Sequence, residues 1–317
     1  MMKYRLILLI IGFSIMFASC MQPYKNLAPL EFSELDYPFD VHYAELDNGM
    51  RIAYVDEGSG RDAIIFVHGL GSYLKAWHKN VSGLKDDFRC IAVDLPGYGK
   101  SSKELHSGSM EFYGDVLVEL METLDIDQAT IAGHSMGGQI AMVMALKHPE
   151  RVNRLILIAP AGFEPFTEGE KEWFREVMTV DGVKLTSVQQ IRANVVANFY
   201  NMPDDAEFMI TDRIALRDAG DFDRYCYTVV KSVEGMVNQP VNHLLGKIEQ
   251  PALIIFGEND NLIPNPYLNG GSTAGIAEIG AAQLPDNTLL MIPDCGHFAQ
   301  FEKPDVVNQA VSDFMKK

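Results

Sequence analysis

Positive charge is scarce in this sequence. Its 317 residues hold 26 lysines and arginines against 43 acids, a formal net charge of −17, and the basic residues form no patch. Neutralising a phosphate backbone needs clustered cations, so nucleic-acid binding is excluded. Charge alone gives no grip on anionic lipid either, and the acidic balance is read as a solubility property. Cysteine is scarce as well: Cys20, Cys90, Cys226 and Cys295 form no CxxC pair and show no metal-ligand spacing. That argues against a redox dithiol and against a metal centre. Cys90 lies in an apolar run and reads as core, while a Cys226–Cys295 disulfide is chemically allowed outside the cytoplasm. No glycine cluster has P-loop or dinucleotide-binding spacing, so no nucleotide and no other cofactor is expected. Internal repeats and low-complexity tracts are also missing. No apolar run reaches the ~20 residues that a membrane-spanning helix needs.

The longest such run, residues 6–18, follows Lys3 and Arg5 and precedes the small residues Ala18 and Ser19. A charged start, a short apolar centre and small residues at its end read as a secretory signal over residues 1–19. The ending FASC resembles the lipobox of bacterial lipoproteins. That implies lipidation of Cys20 and attachment to a bacterial envelope membrane through the N-terminus; an ordinary cleaved signal or an uncleaved anchor are the alternatives. Residues 20–39 mix prolines with polar and apolar residues and have no sustained period, so they are expected to form a flexible tether.

The remainder alternates. VHYAEL and MRIAYVDEG flank DNG, a hairpin signal. AIIFVHG, RCIAVDLPG, ATIAGHS, RLILIAP, ALIIFGEND and TLLMIPDCGH are near-continuous apolar strands of the kind buried on both faces of a parallel sheet. Helical patterns over 77–84, 111–124, 136–147 and 305–315 separate most of them. This predicts a doubly wound, mostly parallel α/β sheet formed by residues 40–162 and 241–317. Residues 163–240 break the rhythm, with no clear strand and four helical runs at 168–178, 187–199, 204–217 and 222–237. They predict an all-helical cap, rich in aromatics and methionines that form its own core or roof an apolar cleft.

Each polar candidate stands at the C-terminal end of a predicted strand, where open α/β sheets place their sites. GHSMG (133–137) puts Ser135 between strand and helix, with Gly133 and Gly137 expected to clear space around an exposed nucleophile. HGLG (68–71) ends an earlier strand; Gly69 and Gly71 let its backbone approach a substrate, and His68 and His134 are read as shaping their motifs. The N–H groups of Leu70 and Met136 are candidates for binding a developing oxyanion. GENDNLIP (257–264) offers an acid, Asp260 with Glu258 as its rival, and DCGHF (294–298) offers His297. The order Ser…Asp…His suits a histidine base oriented by a carboxylate. His42, His78, His106, His148 and His243 lack partners at useful spacing and are set aside.

Together these motifs resemble the α/β-hydrolase superfamily, and within it the helical-capped serine esterases and monoacylglycerol-lipase-like enzymes, over about residues 40–317. DLPGYGKSS (94–102) resembles that family's turn after the fourth strand, with Asp94 structural. The resemblance implies a cofactor-independent hydrolase that cleaves carboxylic esters or lipids through an acyl-enzyme. Carbon–carbon bond hydrolysis of a dienoate-like ketone is the nearest alternative. A haloperoxidase-like side activity and a non-catalytic lipid-binding lipoprotein are further ones. The glycine-rich stretch NPYLNGGSTAGIAEIGAAQLPDN is longer than the family pattern implies and is expected to be a loop affecting access. Nothing in the sequence specifies an oligomeric state.

Overall fold

The computed structural model describes residues 24–317. The expected signal and Cys20 lie outside the described residues. In chain order the core opens with β1 (His42–Glu45), β2 (Arg51–Glu57), β3 (Ala63–Val67), α1 (His78–Leu84), β4 (Arg89–Val93) and α2 (Met110–Thr123). Next come β5 (Ala129–His134), α3 (Met136–Lys147) and β6 (Val152–Ile158). A helical insertion follows: α4 (Glu168–Val177), α5 (Val180–Lys184), α6 (Val188–Val196), α7 (Phe208–Ala215) and α8 (Phe222–Asn238). The chain returns through β7 (Ala252–Gly257), α9 (Thr273–Gln283), β8 (Asn287–Ile292), α10 (Ala299–Glu302) and α11 (Pro304–Met315).

One sheet runs in the order β1-β2-β4-β3-β5-β6-β7-β8. β1, β2 and β4 pair antiparallel and the rest pair parallel. Gly49, at φ +81°, closes the β1–β2 hairpin in a conformation that glycine adopts freely. Alternation along β3 divides the core. Ile64 and Phe66 face α1 and α11, while Ile65 and Val67 face the side covered by α2, α3 and α9. β3, β5 and β7 are buried throughout, which explains their unbroken apolar sequences; β8 is the edge strand and only half-buried.

Between β6 and β7 the described chain is helical, and capping chemistry sets its punctuation. Thr167 with Glu170, and Ser187 with Gln190, form reciprocal capping boxes at the starts of α4 and α6. Thr179 accepts from the Gly182 N–H and starts α5, a short helix that the sequence pattern missed.

Two expectations need correction, and one open question is answered. The glycine-rich stretch before β8 is not all loop. Ser272 caps an 11-residue helix, α9, whose Ile276 and Ala277 are buried and whose Gly280 packs against the Phe163 ring. Residues 24–39 are not a free tether, because Phe32 and Leu35 are buried in the core. Finally, Cys226 and Cys295 form no disulfide. Burial pushes their thiols up to about 11 and about 12 respectively, which leaves both in the unreactive protonated form.

Candidate active site

Ser135 is the single residue between β5 and α3. It takes φ +52° and ψ −118°, a strained backbone for a residue with a side chain. Four main-chain bonds hold it there: its N–H donates to the Ile158 carbonyl at 2.9 Å, and its carbonyl accepts from Gly138 at 2.9 Å, Ala161 at 3.0 Å and Gln139 at 3.3 Å. The flanking glycines act differently from expectation. A Cβ on Gly133 would overlap the Gly137 carbonyl, and one on Gly137 would overlap the Val67 carbonyl. They permit the backbones of β5, α3 and β3 to converge, and Ser135 is strained as a result.

The HGLG loop lies directly against this turn. A Cβ on Gly69 would come 3.1 Å from Ser135 Cβ and 3.0 Å from His134 Nδ1, whereas Gly71 is required for its φ of +66°. His68 is fully buried and its tautomer is fixed by its partners. Nε2 accepts the Leu95 N–H at 3.1 Å, so Nδ1–H donates to the Gly69 carbonyl at 2.8 Å. Desolvation lowers its pKa to about 4, keeping it neutral. The Gly69 carbonyl and the Leu70 N–H belong to one peptide unit, so His68 aims the Leu70 N–H by holding the opposite end. Met136 supplies the first N–H of α3, which has no intrahelical acceptor.

After β8 the chain delivers His297, 3% exposed, to Asp260, 8% exposed, which follows β7. His297 Nδ1–H donates to Asp260 Oδ2 at 2.7 Å. Asp260 Oδ1 accepts from Leu262 at 2.7 Å and from Ile263 at 3.2 Å, so both carboxylate oxygens are oriented. Glu258 is exposed and bonds β8 only through its main chain, which removes it as the orienting acid. His134 Nε2–H donates to the His297 carbonyl at 3.1 Å, and its ring packs 4.4 Å from that of Phe298. Burial, with His297 beside it, holds the His134 pKa well below the ordinary histidine range. It supports the His297 loop as a neutral ring.

Ser135, His297, His134, Gly69 and Leu70 all border one cavity of about 670 Å³. The helical insertion supplies much of its apolar wall through Phe174, Met178, Val183, Val229, Val233 and Met236. Phe199 and Phe208 pack elsewhere, around Phe298 and Phe301. The loop after Asp260 contributes Leu262, Pro266 and Tyr267, and Glu164 fixes that loop by accepting from Asn265 N–H at 2.8 Å and Asn269 Nδ2 at 2.6 Å.

Two cations border this cavity. Lys171 is paired with Glu168 at 2.7 Å. Arg213, on α7, has no ion-pair partner among the described residues. Sequence reading passed over it because an arginine on a helix usually faces water; only its place in the fold marks it out.

The profile of the alpha/beta hydrolase fold matches residues 62–304. A curated 2-hydroxy-6-oxononadienedioate/2-hydroxy-6-oxononatrienedioate hydrolase from Burkholderia vietnamiensis is 30% identical over 295 residues, covering 87% of this chain and 95% of that protein. A probable hydrolytic enzyme from Pseudomonas aeruginosa PAO1 superposes with a TM-score of 0.80 at 26% identity, over 92% of this chain and 99% of the other. A thermophilic esterase from Thermogutta terrifontis shares the fold, with a TM-score of 0.72 at 24% identity over 87% and 98% of the two chains.

Proposed function

The chain belongs to the α/β-hydrolase fold family, and from that premise we propose that it is a serine hydrolase whose substrate carries a carboxylate. The Ser135 Oγ attacks the substrate carbonyl carbon while His297 Nε2 takes its proton. Asp260 holds Nδ1–H and stabilises the imidazolium that forms. The resulting oxyanion accepts from the Leu70 and Met136 N–H groups; one such donor is worth about 3 kcal/mol in the transition state. As the tetrahedral intermediate collapses, His297 returns the proton to the leaving atom. Water then enters by the same route, releases the acyl group as an acid and restores Ser135.

The observation that carries the carboxylate assignment is Arg213. A guanidinium with no ion-pair partner among the described residues, set in a mostly apolar wall, lacks a counter-charge that a bound substrate would supply. The substrate named for the Burkholderia relative is a dioate with a 6-oxo group, thus a ketone that bears carboxylates. This supports cleavage of a carbon–carbon bond next to a ketone as the leading reaction. Ester hydrolysis is the second reading, supported by the valines, methionines and Phe174 that would suit an acyl chain.

Both readings are tested with a ring-cleavage dienoate ketone, a p-nitrophenyl half-ester of a dicarboxylic acid and a neutral p-nitrophenyl ester of equal length. Replacing Arg213 by Met should raise KM for the two carboxylate-bearing substrates about 10-fold or more, since hydrogen bonds to charged groups contribute roughly 1.5–3 kcal/mol. The neutral ester should change little. An equal loss on all three substrates would remove Arg213 from carboxylate recognition, and turnover confined to the esters would select the second reading.

A further inference from the structure

Beside the catalytic cavity lies a second, smaller chamber of about 80 Å³, and part of its wall comes from outside the sheet and the helical insertion. Leu70, Gly71, Asn198, Arg213 and Phe298 border both spaces. The smaller one is completed by Phe32 and Leu35, from the stretch that sequence alone presents as a tether. Its size admits at least a few carbon atoms, given that a water molecule occupies about 30 Å³ of liquid.

That stretch is fastened at both ends and in the middle. Tyr24 donates to Glu207 Oε1 at 2.6 Å, and the Leu30 N–H donates to the Ala215 carbonyl, at the end of α7, at 3.1 Å. The Gly220 N–H donates to the Glu31 carboxylate at 3.0 Å. On the sheet side, the Tyr37 hydroxyl donates to Asp94 Oδ2 at 2.6 Å, and Asp94 Oδ1 accepts the Leu74 N–H at 2.8 Å. Buried Lys103 donates to the carbonyls of Tyr98, Gly99 and Ser101, and its Nζ lies 4.3 Å from the Phe32 ring centroid. The segment therefore covers two buried charges and ties α7, which carries Arg213, to the turn after β4. A linker serving only to give reach needs none of these contacts.

We propose that residues 30–37 are a wall of the substrate site, with Phe32 and Leu35 closing an apolar side chamber that receives a hydrophobic group of the substrate next to Leu70 and Arg213. The inference rests on the serine-hydrolase reading of Ser135. Apolar lining next to the Arg213 guanidinium suits a small alkyl or aryl substituent close to the substrate carboxylate. Specificity is then set partly by a stretch of chain remote in sequence from every catalytic motif.

The test uses the full chain and two fluorophosphonates, one with an ethyl group and one with a cyclohexyl group, with labelling of Ser135 followed by mass spectrometry. Leu35→Ala should raise the cyclohexyl-to-ethyl ratio of labelling rates about 10-fold, the scale on which hydrophobic pockets discriminate. The ethyl probe serves as the internal reference within each variant. Leu35→Val, which removes one methylene, should shift the ratio in the same direction by less and serves if the alanine variant fails to fold. An unchanged ratio, or an equal slowing of both probes, would overturn the proposal by giving the segment a purely structural role. Wild type that is not labelled at Ser135 by either probe would instead overturn the serine-hydrolase reading, and this inference with it.

Discussion

At the scale of residues, His68, Asp260, His297 and His134 each have their orientation fixed by a hydrogen-bond partner. His68 can offer only one tautomer, because Leu95 donates to one nitrogen and the Gly69 carbonyl accepts from the other. Asp260 is aligned by two N–H groups before it meets His297. These residues were legible in the sequence because each terminates an apolar strand and carries a motif whose chemistry explains its neighbours. The choice between the two acids was open there, since both lie within GENDNLIP; burial decides it for Asp260. Asp260→Asn should accordingly cost turnover about 10³- to 10⁴-fold by disturbing the His297 tautomer. Glu258→Gln should stay within a few-fold of wild type. Steady-state kinetics on one ester substrate checks both, and the reverse ranking would return the role to Glu258. Arg213 was not legible, because its meaning comes from its place on the cavity wall with no ion-pair partner among the described residues.

At the scale of elements, periodicity and caps located the strands and most helices, and the misses have physical causes. α5 hides in the sequence because its five residues span little more than one turn, too short for a 3.6-residue period to register. α9 hides for another reason: two glycines, Gly275 and Gly280, interrupt its four alanines and Gly270 and Gly271 precede it, so the glycine content suggests a loop. Tertiary packing overrides that weak propensity. Gly280 in particular is needed where α9 meets Phe163, since any Cβ there would overlap the ring. Phe163 is fully buried and lies 6.2 Å from the Phe256 ring, leaving it little room to retreat. Gly280→Val should thus destabilise the fold by about 1–3 kcal/mol, as overpacked cores do. Chemical denaturation reads this as a lower midpoint at an unchanged slope. A midpoint equal to that of wild type would mean that Phe163 moves aside freely.

At the scale of the whole molecule, one sheet brings together the Leu70 N–H and the side chains of Ser135, Asp260 and His297, and the chain on either side of the catalytic motifs completes the enclosure. The helical insertion between β6 and β7 supplies the apolar wall and Arg213. The segment beginning at Tyr24 locks that insertion to the turn after β4. Sequence reading treated this segment as a spacer because it has no period, yet Phe32 and Leu35 are buried without belonging to any long helix or strand. Pattern methods register repeating faces, and a strap that packs through two isolated side chains has none. The central claim is that this assembled site acts through an acyl-enzyme on Ser135. Rapid quenching of wild type with a p-nitrophenyl half-ester, followed by peptide mass spectrometry, tests it most directly. The account predicts an acyl adduct on the peptide containing Ser135. Ser135→Ala should carry no adduct and lose about 10³-fold or more in turnover while keeping its melting temperature. Undiminished turnover by Ser135→Ala, or an adduct on another residue, would contradict it.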